Sequence, residues 1–173
     1  ITGAGSGIGR ALALELAERG HDLILCGRTA SNLLQVAYEV EARSASAEVI
    51  TAAVDLSDTA DCERLAHRVR EVTDRLGVFV HCAGLGEPAA DFASVDIDDF
   101  QRALAVNVTA PMMLTQSLLA LLRPTTGAAR VLMVGAGMDT KVQPGTASYG
   151  ISKMALRRLV QQLGVEFNPV RGD

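Results

Sequence analysis

The stretch Ile1-Thr2-Gly3-Ala4-Gly5-Ser6-Gly7-Ile8-Gly9-Arg10 opens the chain and places four glycines between the end of a predicted strand and the start of a predicted helix. Glycine lacks a Cβ, so a backbone rich in it can turn tightly and approach a bound pyrophosphate. The following helix directs its free N–H groups and the positive end of its dipole at such an anion. A glycine-rich turn is equally compatible with an ordinary tight turn, so its interpretation depends on the rest of the chain.

The composition indicates a globular protein. The chain has 173 residues, of which 49% are hydrophobic and 21% charged, with a net charge of −4, which predicts one domain over 1–173. The weak negative charge disfavours a nucleic-acid partner, which needs clustered Lys and Arg. No apolar run approaches the roughly 20 residues of a membrane span, so we expect a cytoplasmic protein without membrane contact. Three cysteines lack the spacing of metal ligands, and we expect them to be reduced and buried, with no metal site: Cys26, Cys62 and Cys82.

Two apolar patterns alternate along the chain. Short apolar runs predict strands at 23–26, 49–54, 78–80 and 131–134, and the continuous run 23–26 is typical of a strand buried on both faces. Apolar residues three or four positions apart, typical of helices, occur in 7–20, 31–43, 58–76, 96–107, 109–122 and 148–164. This alternation predicts an α/β fold, a Rossmann-type doubly wound parallel β-sheet with helices on both faces in three layers. In the first helix the pattern predicts that Ile8, Leu12 and Leu16 face inward, and we expect Pro124 and Gly127 to end the fifth.

Several polar or glycine-containing segments follow predicted strands. Ligands of such sheets bind beyond the carboxyl ends of the strands, where the strand order reverses. We therefore expect these segments to share one rim of the sheet: the glycine turn, Arg28, Asp55, Ala83-Gly84 and the loop from Gly135.

Five motifs in order give the chain a family resemblance. They are Thr2-Gly3-x-x-x-Gly7-Ile8-Gly9, Asp55-Leu56, Cys82-Ala83-Gly84, Asn107 and Tyr149-Gly150-Ile151-Ser152-Lys153. Together they resemble the short-chain dehydrogenase/reductase family over nearly the whole chain. The resemblance implies that a dinucleotide contacts Gly3, Ser6, Gly7, Ile8, Gly9, Asp55, Leu56, Ala83, Gly84, Tyr149 and Lys153.

Tyr149 and Lys153 are the predicted acid/base pair. They lie four positions apart, so both side chains can share one helical face. A free tyrosine has a pKa of about 10 and is a poor base at neutral pH, but a nearby ammonium group stabilises a phenolate. The resemblance also implies that Lys153 binds the nicotinamide ribose and that Asn107 holds a water linking Lys153 to solvent. The alternative is a buried core tyrosine beside a solvated lysine.

The chain departs from the family pattern at several points. His81 replaces the first asparagine of the Asn-Asn-Ala-Gly motif, and we expect it to make a backbone hydrogen bond. The family's catalytic serine lies 13 positions before the tyrosine, where this chain has Ala136. Ala136 leaves four interpretations open: a slow enzyme, a substrate that supplies its own hydroxyl, a donor such as Ser148 or Thr140, or a shifted alignment of this loop. Neighbouring helical residues point about 100° apart, which disfavours Ser148.

Arg28 decides the predicted cofactor. A fold that selects NAD presents a carboxylate at the end of the second strand of the family's sheet, but this chain has Cys26-Gly27-Arg28 there and Asp22 lies at the opposite end. The guanidinium fork suits a 2′-phosphate. Arg28 therefore predicts NADP over NAD, with stacking on adenine as the alternative.

The resemblance and these residues predict an NADP-dependent oxidoreductase that transfers hydride between NADP(H) and a carbonyl or secondary alcohol, with 3-oxoacyl substrates plausible. The alternative is a catalytically weak nucleotide-binding protein with a sensing or structural role. We expect a homodimer or homotetramer that packs through the helices at 109–122 and 148–164. We also expect the chain to be incomplete at both ends, with the C-terminal strands of the sheet missing from it.

Overall fold

The computed structural model describes residues 1–86, 89–122 and 129–167 and alternates helices with parallel strands. Within these residues the helices are α1 Gly7–Glu18, α2 Ala30–Arg43, α3 Thr59–Val72, α4 Ile97–Leu104, α5 Ala110–Leu118 and α6 Ala147–Phe167. The strands are β1 Leu23–Gly27, β2 Val49–Ala53, β3 Val78–His81 and β4 Arg130–Met133. The predicted alternation is confirmed, while Pro124 and Gly127 lie outside the described residues.

The chain divides into two compact units. The first comprises Ile1–Ala83 and Met113–Val134, and the second comprises Gly84–Met112 and the described part of Gly135–Asp173. All four strands named above belong to the first unit. Whether 1–173 acts as a single domain stays a prediction.

The strands of the first unit form two parallel pairs joined by the N-terminus. β1 pairs with β2 and β3 pairs with β4. Thr2 forms parallel bridges to both Cys26 and His81, so the N-terminal segment lies between β1 and β3. From this central segment the chain builds outward through β1 to β2 on one side and through β3 to β4 on the other. The glycine turn that follows Thr2 therefore lies where the strand order reverses, which is the usual ligand crevice of such sheets.

Three of the four buried positions of α1 are occupied by small residues. The predicted inward position is wrong for Ile8, which is 63% exposed. Leu12 and Leu16 are partly buried, and Leu16 packs against the core as predicted. The buried positions of α1 are Gly9, Ala13, Leu14 and Ala17. The apolar periodicity did not identify this face, because Gly9 lies on it and packs so closely against the Gly3 carbonyl that a Cβ would overlap the oxygen. In α2, by contrast, the predicted inward residues Leu33, Ala37 and Val40 are buried.

The strands differ in burial according to their position. β1 and β3 flank the N-terminal segment and are largely buried, which for β1 agrees with the prediction. β2 is mostly half-buried, and in β4 Val131 and Leu132 are exposed, with Leu132 at 48%. β2 and β4 are thus less buried than β1 and β3, and among the described residues each of the two pairs with one strand only.

The three cysteines are free thiols in different surroundings. Cys26 and Cys62 are buried as predicted, while Cys82 is half-buried because it follows the end of β3. Burial raises the pKa of the Cys26 thiol. Burial, helped by the neighbouring Asp61 carboxylate, raises the pKa of Cys62 to about 11. In the described part of the chain no group of His, Cys, Asp and Glu side chains is arranged to hold a metal ion, and none of the helices described is long and apolar enough to cross a membrane.

Candidate functional site

The glycine turn has a shape that side chains would obstruct. Gly3 and Gly7 have φ values of 65° and 51°, in the left-handed region that favours glycine. A Cβ on Gly3 would lie 2.7 Å from the backbone nitrogen of Ala83, and a Cβ on Gly9 would overlap the carbonyl oxygen of Gly3. The turn therefore requires glycine at three positions. Gly3 and Gly7 are required by their positive φ angles, and Gly3 and Gly9 also lack space for a Cβ.

Thr2 anchors this turn to the sheet. Its backbone N–H donates to the Val80 carbonyl at 2.9 Å, and its carbonyl accepts from the Cys82 N–H at 3.2 Å. Its buried hydroxyl oxygen accepts from the Ala83 N–H at 3.2 Å and lies 2.9 Å from His81 Nδ1. The His81 ring, which we expected to bond to backbone, thus pairs with a side-chain hydroxyl. The substitution of the family asparagine by His81 is accommodated by Thr2, one position before Gly3.

The first turn of α1 is open to solvent. Ser6 is the N-cap and makes no capping hydrogen bond with its own side chain. Ser6, Gly7 and Ile8 are all exposed. Free N–H groups at a helix N-terminus, preceded by a turn that side chains would block, fit the pyrophosphate of a dinucleotide. The residues present therefore fit a dinucleotide cofactor.

The residues expected on the adenine side of the nucleotide differ in whether their side chains already contact the protein. Arg28 follows β1, is exposed and forms no ion pair with any residue that the structure describes. The Asp55 carboxylate accepts hydrogen bonds from the N–H and hydroxyl of Ser57 at 2.9 and 2.7 Å, and the Leu56 side chain is buried. Asp55 and Leu56 thus shape the loop after β2, whereas the Arg28 guanidinium is available to a ligand.

In the second unit, Asn107 connects a loop to α6 through hydrogen bonds of its side chain. It lies in a π-helical turn, Ala105–Thr109, and its side chain is fully buried. Its Oδ1 accepts from the Leu85 N–H at 2.8 Å, and its Nδ2 donates to the Leu85 carbonyl at 2.9 Å and to Ser152 Oγ at 2.8 Å. Ser152 in turn donates to the Tyr149 carbonyl at 2.8 Å. Both amide hydrogens are therefore committed, and a water of the predicted relay would be held by an oxygen of Asn107.

Lys153 and Tyr149 lie together on α6. Lys153 is only 2% exposed, and its Nζ lies 5.6 Å from the centre of the Tyr149 ring. Backbone passes close to both, since a Cβ on Gly84 would lie 3.4 Å from Lys153 Nζ and one on Gly86 would lie 3.4 Å from Tyr149 Cδ2. The alternative of a solvated lysine beside a core tyrosine does not describe this geometry, because the lysine is buried and the tyrosine is half-buried.

Tyr149 lines an open cavity of about 370 Å³ in the second unit. The cavity walls are mostly small and apolar, with two carboxylates and four hydroxyls, one of them that of Tyr149. They are formed by Gly86, Ala89, Ala90, Ser94, Val95, Asp96, Asp99, Met138, Gly145, Thr146, Ala147, Ser148 and Tyr149. A space of this size suits a small organic ligand.

The loop before α6 lacks a hydroxyl where the resemblance implies one. Ala136 is extended and precedes a 3-10 turn, Gly137–Asp139. Thr140 is exposed, and its hydroxyl lies 3.4 Å from the Gly137 carbonyl. Ser148, which helix geometry disfavoured, is buried and lines the same cavity as Tyr149.

Sequence reasoning missed three members of this arrangement. Ser152 lies inside the Tyr-x-x-x-Lys motif and could have been suspected from its place there. Leu85 takes part only through its backbone, and Gly86 only through closeness to Tyr149, so no side-chain pattern pointed to them.

The family model described as short chain dehydrogenase matches residues 1–171. The chain is 35% identical over 171 residues to a sepiapterin reductase of Chlorobaculum tepidum, covering 94% of this chain and 68% of the relative. It is 33% identical over 171 residues to a rhamnolipids biosynthesis 3-oxoacyl-[acyl-carrier-protein] reductase of Pseudomonas aeruginosa, covering 96% of this chain and 65% of that protein. It spans about half of a 3-ketodihydrosphingosine reductase of Bos taurus, namely 51%.

Solved structures agree with the fold. A short-chain dehydrogenase from Sphingobium yanoikuyae in complex with NADPH superposes with a TM-score of 0.87 at 29% identity, covering 98% of this chain and 65% of the other. Levodione reductase superposes with a TM-score of 0.90 at 25% identity, covering 96% and 64%. The predicted Rossmann-type α/β fold is thereby confirmed.

Proposed function

This chain belongs to the short-chain dehydrogenase family, and we propose that it transfers hydride between NADP(H) and a carbonyl or secondary alcohol. The observation that carries the proposal is the burial of Lys153 with its Nζ 5.6 Å from the Tyr149 ring, beside the cavity that Tyr149 lines. Burying an ammonium group is costly unless the group is paired or hydrogen-bonded. A buried ammonium near a half-exposed phenol is an arrangement for proton transfer at that phenol.

The residues of the second unit have distinct roles in this proposal. In the reductive direction, Tyr149 donates its hydroxyl proton to the substrate oxygen. The Lys153 ammonium stabilises the phenolate that remains. Asn107 and Ser152 hold the loop at Leu85 against α6, which keeps the tyrosine in place. The reduced nicotinamide, when bound, supplies the hydride.

The nucleotide would be held by the first unit. Gly3, Gly7 and Gly9 leave room for the pyrophosphate, and the open first turn of α1 supplies N–H donors to it. Arg28 supports NADP, because it is exposed directly after β1 in a place where NAD-selecting sheets carry a carboxylate. The NADPH complex of the Sphingobium protein is consistent with this choice.

The substrate class is proposed more broadly. The cavity beside Tyr149 has small apolar walls, which accept a compact chain or ring carrying a carbonyl. A 3-oxoacyl substrate is one candidate, supported by the similarity to the Pseudomonas reductase. The proposed assembly is a homodimer or homotetramer, supported by exposed apolar residues on α6, namely Ile151, Met154 and Val160. The cytoplasmic location stays a prediction.

A second function is favoured by one observation. Ala136 provides no hydroxyl where the family has its serine, and losing one donor of this kind costs on the order of 100-fold to 1,000-fold in rate. The chain would then bind the nucleotide and turn over slowly or not at all, as a sensing or structural protein.

NADPH oxidation against ketones and ketoacyl thioesters separates the two functions. The reductase predicts turnover of at least one compound and loss of that turnover in Tyr149→Phe. Saturable NADPH binding without turnover of any compound would favour the second function. No binding of NADPH at all would contradict both.

Arg28→Asp tests the cofactor choice. Removing a charge-assisted contact to the 2′-phosphate and adding a repelling carboxylate should shift the NADP/NAD preference on the order of tenfold or more toward NAD. Arg75→Asp makes the same charge change at an exposed residue before β3 and should leave the preference unchanged. An unchanged preference in Arg28→Asp would mean that this arginine does not select the cofactor.

A further inference from the structure

We infer that Ser148 donates a hydrogen bond to the substrate oxygen beside Tyr149. It would replace the hydroxyl that the family's serine supplies and that Ala136 lacks. The inference rests on the proposed reductase function and names a further residue of that same site. Its basis is the position, burial and free hydroxyl of Ser148.

Ser148 is a buried polar side chain without a partner. It is 8% exposed, and its hydroxyl makes no hydrogen bond with any residue in the described ranges. Its hydroxyl oxygen is not among the fully enclosed side-chain atoms that lack a partner, so it remains accessible although most of the residue is buried. Because Ser148 lines the same cavity as Tyr149, this hydroxyl can donate a hydrogen bond to a polar atom of a ligand in that cavity.

The angle between neighbouring helical residues does not separate Ser148 from Tyr149 here. Five consecutive residues, 145–149, line the cavity, and α6 begins at Ala147. The cavity therefore lies across the N-terminal end of α6 rather than along one side of it. At a helix end, side chains that diverge around the axis can still reach one space.

Other hydroxyls near this space are less suited. The Thr146 hydroxyl donates to the Gln143 carbonyl at 2.8 Å. Ser94 is exposed, so water competes for its hydroxyl. Thr140 is exposed and does not line the cavity. Ser148 alone among the hydroxyls that line it is both buried and free within the described residues.

The role of Ser148 is electrostatic and involves no bond making of its own. When the carbonyl carbon accepts hydride, the carbonyl oxygen gains negative charge and takes a proton from Tyr149. Ser148 keeps its proton and stabilises that charge through a hydrogen bond. The proton balance stays with Tyr149, which is reprotonated from solvent.

Ser148→Ala is the direct test. The turnover number kcat of the substrate found for the wild-type protein should fall on the order of 100-fold. The NADPH dissociation constant from fluorescence titration and the melting temperature of the unliganded protein should stay unchanged. Both kcat and kcat/KM should fall together, because the contact forms fully only in the transition state. Ser117→Ala, on the exposed face of α5, is the matched control and should retain wild-type activity.

Ala136→Ser provides a rescue. Introduced into Ser148→Ala, it should restore much of the lost kcat, because it returns a hydroxyl to the position the family uses. In the wild-type background it should raise kcat by less, since Ser148 already supplies a donor. Equal gains in the two backgrounds would show that the two hydroxyls act independently and would overturn the inference.

A second pair of variants covers a failure of Ser148→Ala to fold. Ser148→Thr keeps the hydroxyl and Ser148→Val removes it at nearly the same volume. Activity in Ser148→Thr but not in Ser148→Val supports the inference, and equal activity in the two variants overturns it. A loss of kcat in Thr140→Ala with full activity in Ser148→Ala would assign the donor to Thr140 instead.

The outcomes for Ser148 and for the proposed function are separable. If none of the carbonyl compounds tested supports NADPH oxidation by the wild-type protein, the proposed reductase function is refuted. If the wild-type protein turns over and Tyr149→Phe abolishes turnover while Ser148→Ala does not, the function stands and the role of Ser148 is refuted.

Discussion

The glycine turn of the first unit and the Tyr149 region of the second unit are built in different ways. Around the turn, backbone groups make most of the contacts, and Gly3 and Gly9 have no room for a Cβ. Around Tyr149, side chains make them, through the buried amide of Asn107 and the hydroxyl of Ser152. The turn is therefore sensitive to atoms that are added, and the Tyr149 region to atoms that are removed.

The two regions also differ in how closely they follow the family pattern. The turn keeps each glycine of the motif, whereas the loop before α6 has Ala136 where the family has serine. Nucleotide binding and turnover should therefore respond to different substitutions, so NADPH affinity and kcat should change independently of each other.

The largest expected effect is that of Tyr149→Phe. Removing the hydroxyl removes the proton donor, so kcat should fall on the order of 100-fold to 10,000-fold. NADPH binding measured by fluorescence should change little, because the ring and its contact with Lys153 remain. Tyr38→Phe changes the other tyrosine of the chain, which is exposed, and serves as the matched control. A similar loss in both variants would contradict the assignment.

Gly9→Ala tests the opposite sensitivity. The added methyl overlaps the Gly3 carbonyl, so the free energy of unfolding should fall by about 1–3 kcal/mol and NADPH binding should weaken. Gly77→Ala, where nothing lies within 4 Å of the added Cβ, is the control and should be neutral or slightly stabilising. Urea unfolding and NADPH titration of both variants measure the difference. Tight nucleotide binding by a stable Gly9→Ala protein would show that the turn is not closely packed.

Asn107→Ala should damage the second unit more than Ser152→Ala does. The first substitution leaves the N–H and carbonyl of Leu85 without their side-chain partners, at about 1–3 kcal/mol for an unsatisfied buried group. The second removes one donor to the Tyr149 carbonyl and one acceptor for Asn107, at about 1 kcal/mol. Urea unfolding and kcat should rank the variants in this order, and NADPH affinity should be affected less than kcat. The reverse order would mean that Ser152, and not Asn107, holds the loop.

The smallest effect concerns thiols, which report on the first unit alone because all three cysteines lie within it. With its pKa raised from 9.0 to about 11, Cys62 should react with iodoacetamide on the order of 100-fold more slowly at pH 8 than a free thiol, because reactivity follows the thiolate fraction. The half-buried Cys82 should be labelled first. Mass spectrometry of peptides measures the order, and prompt labelling of Cys62 in the folded protein would contradict its burial.

The same shift has a consequence for stability. A folded chain that holds the Cys62 proton more tightly than the unfolded chain is stabilised below pH 9, and it loses that contribution as the pH rises toward about 11. Cys62→Ala should flatten this part of the stability profile. An unchanged slope between wild type and variant would locate the titrating group elsewhere.

Much of the fold could be predicted because the local patterns were strong. The stripe Leu33, Ala37 and Val40 placed α2 to within one residue, and Asp58 begins α3 as an N-cap that accepts from the Ala60 N–H at 2.9 Å. Patterns failed where a neighbour decided burial. Ile8 is apolar but exposed, because α1 turns its small residues, including Gly9, toward the packed side.

The candidate site was predictable to a lesser degree. Tyr149, Lys153 and Asn107 stand in motifs with fixed spacing, and the structure brings them together in the second unit. The partnership of Thr2 with His81 joins residues 79 positions apart, and the contact of Gly86 with Tyr149 involves no side chain of the glycine. Neither contact could be predicted from the spacing of residues along the chain.

The order of apolar runs, the glycine spacing and the Tyr-x-x-x-Lys motif were enough to determine the α/β class, the family and the residues to examine. These features are local, because a strand, a helix or a tight turn depends on residues within a few positions of one another. The burial of Lys153, the commitment of both Asn107 amide hydrogens and the presence of Ser148 in the cavity of Tyr149 were decided by the tertiary structure alone. They depend on which distant segments exclude water from a side chain and which backbone groups come within hydrogen-bond distance, and spacing along the chain does not encode either.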